Sequence, residues 1–333
     1  MKDLIQKLVE AWGPSGYEHQ VRDLIREEAA PYVDEMRVDG MGNLICRVGN
    51  GDKKAVIAAH MDEIGVMPTF VEPKSGYLRF TNLGGLLHTS MVGARVRFED
   101  GTVGVICTHD YFGAGRTTVT DLNDFFIDVS DGESENGGKI PAGSPATFWR
   151  TLETRGTRLI SKAMDDRIGC VVALEAIKRL NRNTPNTLYF AFTVQEEVGL
   201  RGAKTAAFGL DADVAIALDV TATGDFPRNS KMDVRLGGGA AIKIHDMAHI
   251  VPAAVRDWMI ARAEADGIAY QRELLTLGST DAAAIQLTGT GIPSGTISIP
   301  CRFVHTVSET VDVRDVEACV RLLVGLTANP ITL

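Results

Sequence analysis

The chain has no C-x-x-C pair, no run of basic residues and no apolar stretch long enough to cross a bilayer. Each absence removes a class of function. Its five cysteines (Cys46, Cys107, Cys170, Cys301 and Cys319) are odd in number and sit mostly in apolar runs. They read as free buried thiols in a reducing compartment, not as a disulfide framework. A formal net charge of -9, with no basic–aromatic patch, argues against nucleic acid as a partner. A membrane-spanning helix needs about 20 apolar residues, and none is present. Residues 1–12 carry Asp3 and Glu10 among their apolar positions, which predicts an amphipathic helix rather than a signal peptide. Gly49, Gly51, Lys53 and Lys54 do not make a phosphate loop, because no G-K-[ST] follows at the required spacing. The expectation is a cytoplasmic protein with no membrane or nucleic-acid partner. At 333 residues, it is long enough for one large core and a second domain.

Periodicity outlines that core. Leu4, Ile5, Leu8, Val9 and Trp12 recur at helical spacing, and Gly13-Pro14 ends the run. Ser15-Gly16-Tyr17-Glu18 has the form of a capping box opening a second helix. Short apolar runs at 55–59, 188–194, 213–218 and 294–299 read as buried strands. Helical patterns follow Asp165-Asp166 and cover about 255–265 and 313–325. This is an α/β chain with a mixed central sheet flanked by helices. Between residues 68 and 149 the pattern changes to short β-like runs and turns, including a hairpin through 94–98 and 103–107. That stretch predicts a small β-rich insert, leaving 1–67 and 150–333 to the α/β domain. His88 and His109 lie inside it without acidic or cysteine partners and read as structural. His245 and His249 have i,i+4 spacing but lack a helical frame and an intervening glutamate, so they read as loop or surface residues.

Chemistry collects where the predicted strands stop. The 55–59 run ends at His60-Met61-Asp62, the 188–194 run at Glu196-Glu197, and the 213–218 run at Asp219. His305 lies just past the last strand, and Asp165 sits at a helix start. Taken singly, each has an ordinary explanation. Acids suit a helix N-terminus, and a lone H-x-D is weak. Together, two histidines with several carboxylates and no cysteine suit zinc, cobalt or manganese. One carboxylate can bridge two ions, and a neighbouring free carboxylate can serve as a base.

With those residues in hand, the sequence resembles the co-catalytic metallo-aminopeptidases of the MH clan. It is most similar to the tetrahedral, dodecameric branch of glutamyl, leucyl and lysyl aminopeptidases, also called cellulase-M-like or FrvX-like. The resemblance is carried by residues 13–18, 39–43, 59–65, 162–167, 195–199, 219–220 and 305–309. It implies that Asp165 bridges two divalent metal ions, with His60 and Asp219 completing one site and Glu197 and His305 the other. Glu196 would be the general base, and Asp62 would orient His60. It further implies a cis Asp165–Asp166 peptide, short peptide substrates, and a PDZ-like dimerisation role for the insert. The implied assembly is a homo-oligomer, a dodecamer built from dimers. Relatives often have Gly-Pro where this chain has Gly239-Ala240. A deacylase or other amide hydrolase on the same metal pair is the alternative, and a β-glucanase is the more distant one.

Overall fold

The computed structural model describes residues 1–109, 121–132, 140–227 and 231–333. In the strand Lys54–His60, Ala55, Ile57 and Ala59 face one hydrophobic cluster, while Val56 and Ala58 face another. A strand that is apolar on both faces must lie between two covering layers. Four such strands lie side by side and parallel, in the order Thr187–Thr193, Lys54–His60, Val214–Thr221 and Ser294–Arg302. Antiparallel strands extend this block. Leu44–Val48 and Glu35–Val38 lie beyond Thr187–Thr193. Glu309–Asp312, Arg158–Ser161 and Glu153–Arg155 lie beyond Ser294–Arg302. Ala240–His245 also pairs with Ser294–Arg302, and Tyr270–Leu274 pairs with Ala240–His245. The result is the expected mixed central sheet, 11-stranded among the described residues.

The helix Met164–Leu180 covers one face, packed on Lys54–His60 and Val214–Thr221 and flanked by Val313–Thr327 and Lys2–Glu10. Shorter helices, Arg201–Ala207 and Asp281–Ile285, cover the other. Met164–Leu180 does not begin regularly. Ala163 is left-handed (φ 53), Asp165 and Asp166 depart from helical angles, and the peptide between them is cis. Asp166 caps the regular part, its Oδ1 accepting the Gly169 N–H at 3.0 Å. Asp165 is thereby released from capping and turned toward the sheet edge.

Residues 65–148 contain the second structural element. Gly65–Val71, Leu78–Leu83, Phe125–Asp128, Val103–Thr108, Arg95–Phe98 and Ala146–Phe148 close, in that order, into a barrel. Arg95–Phe98 and Val103–Thr108 form the predicted antiparallel hairpin. Alternate positions such as Val96, Phe98, Ile106, Phe125 and Ile127 fill a cluster separate from the two that flank the main sheet. His88 and His109 pack against Phe125 and Phe126 of this barrel. Parts of the predicted insert, 110–120 and 133–139, lie outside the described residues.

A buried ion cluster ties the first helix to the main sheet. Lys162 Nζ donates to both Glu63 oxygens (2.7 and 2.8 Å), and Arg167 reaches Glu63 at 3.3 Å. Arg167 also donates to the carbonyls of Leu8 and Gly13. Burial pulls the Lys162 ammonium down to about 8, with Glu63 opposing. Both carbonyls also accept a backbone N–H, Leu8 from Ala11 and Gly13 from Glu63, so Arg167 adds a second donor to each.

Candidate metal centre

Parallel strands present their C-terminal ends at one edge, where ligands bind in open α/β sheets. His60 is the last residue of its strand, and Glu196 and Glu197 follow Thr187–Thr193. Asp219 lies near the end of Val214–Thr221, and His305 follows Ser294–Arg302. Asp165 reaches the same edge from the irregular start of Met164–Leu180.

These residues meet closely. His60 Nε2 is 3.0 Å from Asp165 Oδ1, 3.8 Å from Glu196 Oε2 and 3.9 Å from Asp219 Oδ1. His305 Nε2 is 3.3 Å from both Asp165 Oδ2 and Glu197 Oε2. Two groups of ligand-type atoms result, His60–Asp165–Asp219 and Asp165–Glu197–His305, the atoms of each lying within 4.8 Å of one another. Asp165 belongs to both, one oxygen turned to each histidine. Glu196 belongs to neither group. The buried Glu197 Oε1 has no hydrogen-bond partner among the described residues, which costs free energy unless something else meets it. Nitrogen and oxygen donors with a spare buried carboxylate oxygen fit a divalent cation. The barrel reaches this edge through Gly84 and Gly85. A Cβ on Gly84 would press on Glu197 and Ile64, and one on Gly85 on the His305 ring.

Asp62 lies beneath the centre and is fully buried. Its Oδ1 is 3.4 Å from His60 Nδ1, whose nearest partner is the Asp62 carbonyl at 3.2 Å. The same carboxylate accepts the Glu196 N–H at 3.0 Å and the Glu197 N–H at 3.2 Å. One side chain therefore touches the ring of one candidate ligand and the backbone of the acidic pair.

Three supporting carboxylates escaped the sequence reading. Glu309 accepts the N–H groups of Asp165 (3.0 Å) and His305 (2.8 Å), fixing the backbone of two candidate ligands. Its place four residues after His305 was the available signal. Asp281, the first residue of the helix Asp281–Ile285, is buried and accepts the Thr193 hydroxyl at 2.5 Å. Glu18 and Ser15 do not form the expected capping box, since the helix His19–Ala29 has no side-chain cap bond. Ser15 Oγ instead donates to Asp62 at 2.6 Å, and Glu18 accepts the Gln195 N–H at 3.1 Å. Of the two histidines read as loop or surface residues, His249 does lie in a loop but is buried, and His245 ends the strand Ala240–His245. Asp246 accepts the N–H groups of Ala248 and His249 and folds the turn inward.

The charges explain the protonation of the site. Burial raises Asp219 to about 8, reinforced by Asp165. Burial also pushes Glu196 well above the usual carboxylate range, helped by Asp219 and Glu197, and does the same to Glu197, helped by Asp165. Glu309 rises to about 8 for the same two reasons, burial and Asp165. Burial would lower both imidazoles, but neighbouring carboxylates outweigh it, holding His60 well above its ordinary value and His305 at about 10. For Asp165 the two histidines overcome burial, and its pKa falls. The edge is an excess of carboxylates that protons must share in the absence of a cation.

Comparison with known proteins follows the same line. The family model for M42 glutamyl aminopeptidases matches residues 42–322. A curated protein of Acetivibrio thermocellus is 44% identical over 325 residues, covering 97% of each chain. The lysyl aminopeptidase of Pyrococcus furiosus is 32% identical, covering 97% of this chain and 96% of its own. Among solved structures, aminopeptidase APDkam598 of Desulfurococcus kamchatkensis superposes with a TM-score of 0.92 at 39% identity, over 98% of this chain and 94% of that one. The Pyrococcus horikoshii TET1 peptidase, described as able to assemble into a tetrahedron or a large octahedral shell, gives 0.86 at 33% identity over 98% of each chain.

A pH test follows from the raised carboxylates. Asp219 keeps its proton up to about 8 without metal, against an ordinary 3.8. Only the carboxylate form binds a cation, so metal uptake at pH 7 should release about one proton or more, and fewer at pH 9. Calorimetric titration with zinc in buffers of different ionisation heat measures this. Equal release at both pH values would contradict the assignment of Asp219. The linkage to folding has the same origin. Between 3.8 and about 8 the native metal-free chain holds a proton that the unfolded chain has lost, so Asp219 lowers metal-free stability as pH rises through that window.

Proposed function

Because the chain belongs to the M42 glutamyl aminopeptidase family, we propose that the converged sheet edge is a two-metal centre that removes N-terminal residues from short peptides. The observation that carries this reading is the sharing of Asp165 by two ligand groups, with Glu196 beside them and in neither. His60 and Asp219 would hold one ion, Glu197 and His305 the other, and Asp165 both. The donor set suits zinc, cobalt or manganese. When bound there, such ions polarise a peptide carbonyl and acidify a water.

The chain's own groups do the rest. Glu196 accepts the water's proton and returns it to the departing amine, as its freedom from both ligand groups allows. Asp62 holds the backbone from which Glu196 and Glu197 project and keeps the His60 ring in place. The surplus of carboxylates attracts a free α-ammonium group, which favours exopeptidase action. Glycoside hydrolysis normally takes two carboxyl groups, one of them a proton donor. With Asp165, Glu197 and Asp219 committed to metal and Asp62 to its backbone partners, Glu196 stands alone.

The barrel offers a second, separately cored surface, and we read it as the pairing element of a homo-oligomer, in keeping with the shells described for the Pyrococcus horikoshii relative. No helix is long and apolar enough to cross a membrane among the described residues, and the cysteines are free. The free thiols accord with a reducing, cytoplasmic setting. Replacing residues 68–149 by a short Gly/Ser linker should reduce the mass seen by light scattering. A folded deletion protein of undiminished mass would remove the barrel from this role.

Two kinetic outcomes test the chemistry. Glu196→Gln should keep its metal but lose roughly 10²–10⁴-fold in kcat, whereas Glu197→Gln should bind metal more weakly. Metal loss in both variants would contradict the division of labour between them. The parent enzyme should release N-terminal residues from short peptides, lose that activity when the amine is acetylated, and leave β-glucans intact. Hydrolysis of a soluble cellulose at a rate matching the best peptide, abolished with it by Glu196→Gln, would favour the glycosidase reading instead.

A further inference from the structure

The turn that carries the acidic pair has three successive N–H groups, those of Gln195, Glu196 and Glu197. Buried N–H groups need partners, and here two carboxylates divide them. Asp62 takes Glu196 and Glu197, and Glu18 Oε1 takes Gln195 at 3.1 Å. Gln195 is the strained member, with φ 56, a left-handed conformation that a non-glycine residue adopts only when held. Its backbone angles set the direction in which the next residue, Glu196, leaves the turn.

Glu18 is built for this contact. It is 4% exposed, and the same oxygen accepts the Gly16 N–H at 2.6 Å, which pins the side chain to its own loop. It stands at the start of the helix His19–Ala29 yet gives that helix no side-chain cap bond. Its bonds therefore serve the turn and the loop, not the helix. Directly after Gly13-Pro14, Ser15 donates to Asp62 at 2.6 Å, so the loop grips the acidic turn twice, once directly and once through Asp62. On the far side, the turn closes on itself, with the Gly199 and Leu200 N–H groups donating to the Glu196 carbonyl and the Arg201 N–H to the Gln195 carbonyl, and Asn43 holds its two ends by accepting the Val194 N–H and donating to the Gly202 carbonyl.

We propose that Glu18 is a positioning residue for Glu196. By accepting the Gln195 N–H it holds that residue left-handed and so aims the Glu196 carboxylate at the space beside both ligand groups. Glu18 lies in neither group and does not touch the reacting atoms. The inference rests on the proposed role of Glu196. It adds a hydrogen bond, not a charge, as the working element. Loss of aim of the order of 1 Å is enough to cost up to about 100-fold in rate.

The experiment compares Glu18→Ala, Glu18→Gln, Glu196→Gln and the Glu18→Ala/Glu196→Gln double variant in the zinc- or cobalt-loaded enzyme. The substrate is an aminoacyl-nitroanilide, and bound metal and melting temperature are measured alongside. Glu18→Ala should lower kcat roughly 10–100-fold, with KM and metal content close to the parent. Glu18→Gln retains a carbonyl oxygen for the Gln195 N–H and should recover most of the rate. The double variant should be no slower than Glu196→Gln alone. Gln195→Gly, which is left-handed without penalty, should partly rescue Glu18→Ala. A folded Glu18→Ala enzyme with parent kcat, or one whose loss tracks lost metal, overturns the proposal, as does a Glu18→Gln as slow as Glu18→Ala. If Glu18→Ala does not fold, Glu18→Asp, one methylene too short, must show the kcat loss at an unchanged melting temperature, and parent kcat there overturns it equally. Full activity of Glu196→Gln would instead defeat the base assignment, independently of Glu18.

Discussion

The structure depends on how it contains negative charge. Asp165, Glu196, Glu197 and Asp219 converge on one buried edge, opposed at close range by His60 and His305 and, for Asp219, by the buried Lys243. Two like charges about 4 Å apart repel by about 4 kcal/mol even at an effective dielectric near 20. Such an edge exists only if protons, cations or backbone donors meet each oxygen. The raised pKa values of Asp219, Glu196 and Glu197 are the proton solution. The two overlapping ligand groups are the place for the cation solution.

Backbone donors supply the third kind of compensation, and they explain why irregular backbone gathers here. Ala163, Gln195 and His305 are all left-handed without being glycine. Each irregular segment is held by a buried carboxylate that reads N–H groups. Glu309 takes those of Asp165 and His305, Asp62 those of Glu196 and Glu197, and Glu18 that of Gln195. A layer of fixed carboxylates thus orients the layer that would hold the ions. The regular sheet beneath supplies the stiffness, because four parallel strands buried on both faces cannot shift without breaking both cores.

The barrel approaches the same edge with glycines, not side chains. Gly84 and Gly85 lie where a Cβ would strike Glu197 and His305. Close approach by bare backbone narrows the edge without adding to its charge.

How much of this could be read without coordinates follows from the range of each interaction. Apolar runs of period two or of continuous burial mark the core strands, and the residue that ends each run marks its tip. His60, Glu196, Glu197 and Asp219 were therefore legible as candidates from local pattern alone, and the hairpin at 95–108 from its turn. Local pattern misled where a short-range rule competed with a distant partner. Ser15-Gly16-Tyr17-Glu18 satisfies the capping-box pattern, but Ser15 bonds to a residue 47 positions away and Glu18 to one 177 away. His249 reads as a loop residue, and its burial is not legible because nothing in its neighbours signals the turn that Asp246 folds inward. The sequence by itself determined which side chains stand at strand ends, because side-chain periodicity is a property of the local backbone. Only the tertiary structure decided which of them face one another and which buried carboxylates hold them. Those contacts join segments whose proximity is set by sheet order, and sheet order is a property of the whole core.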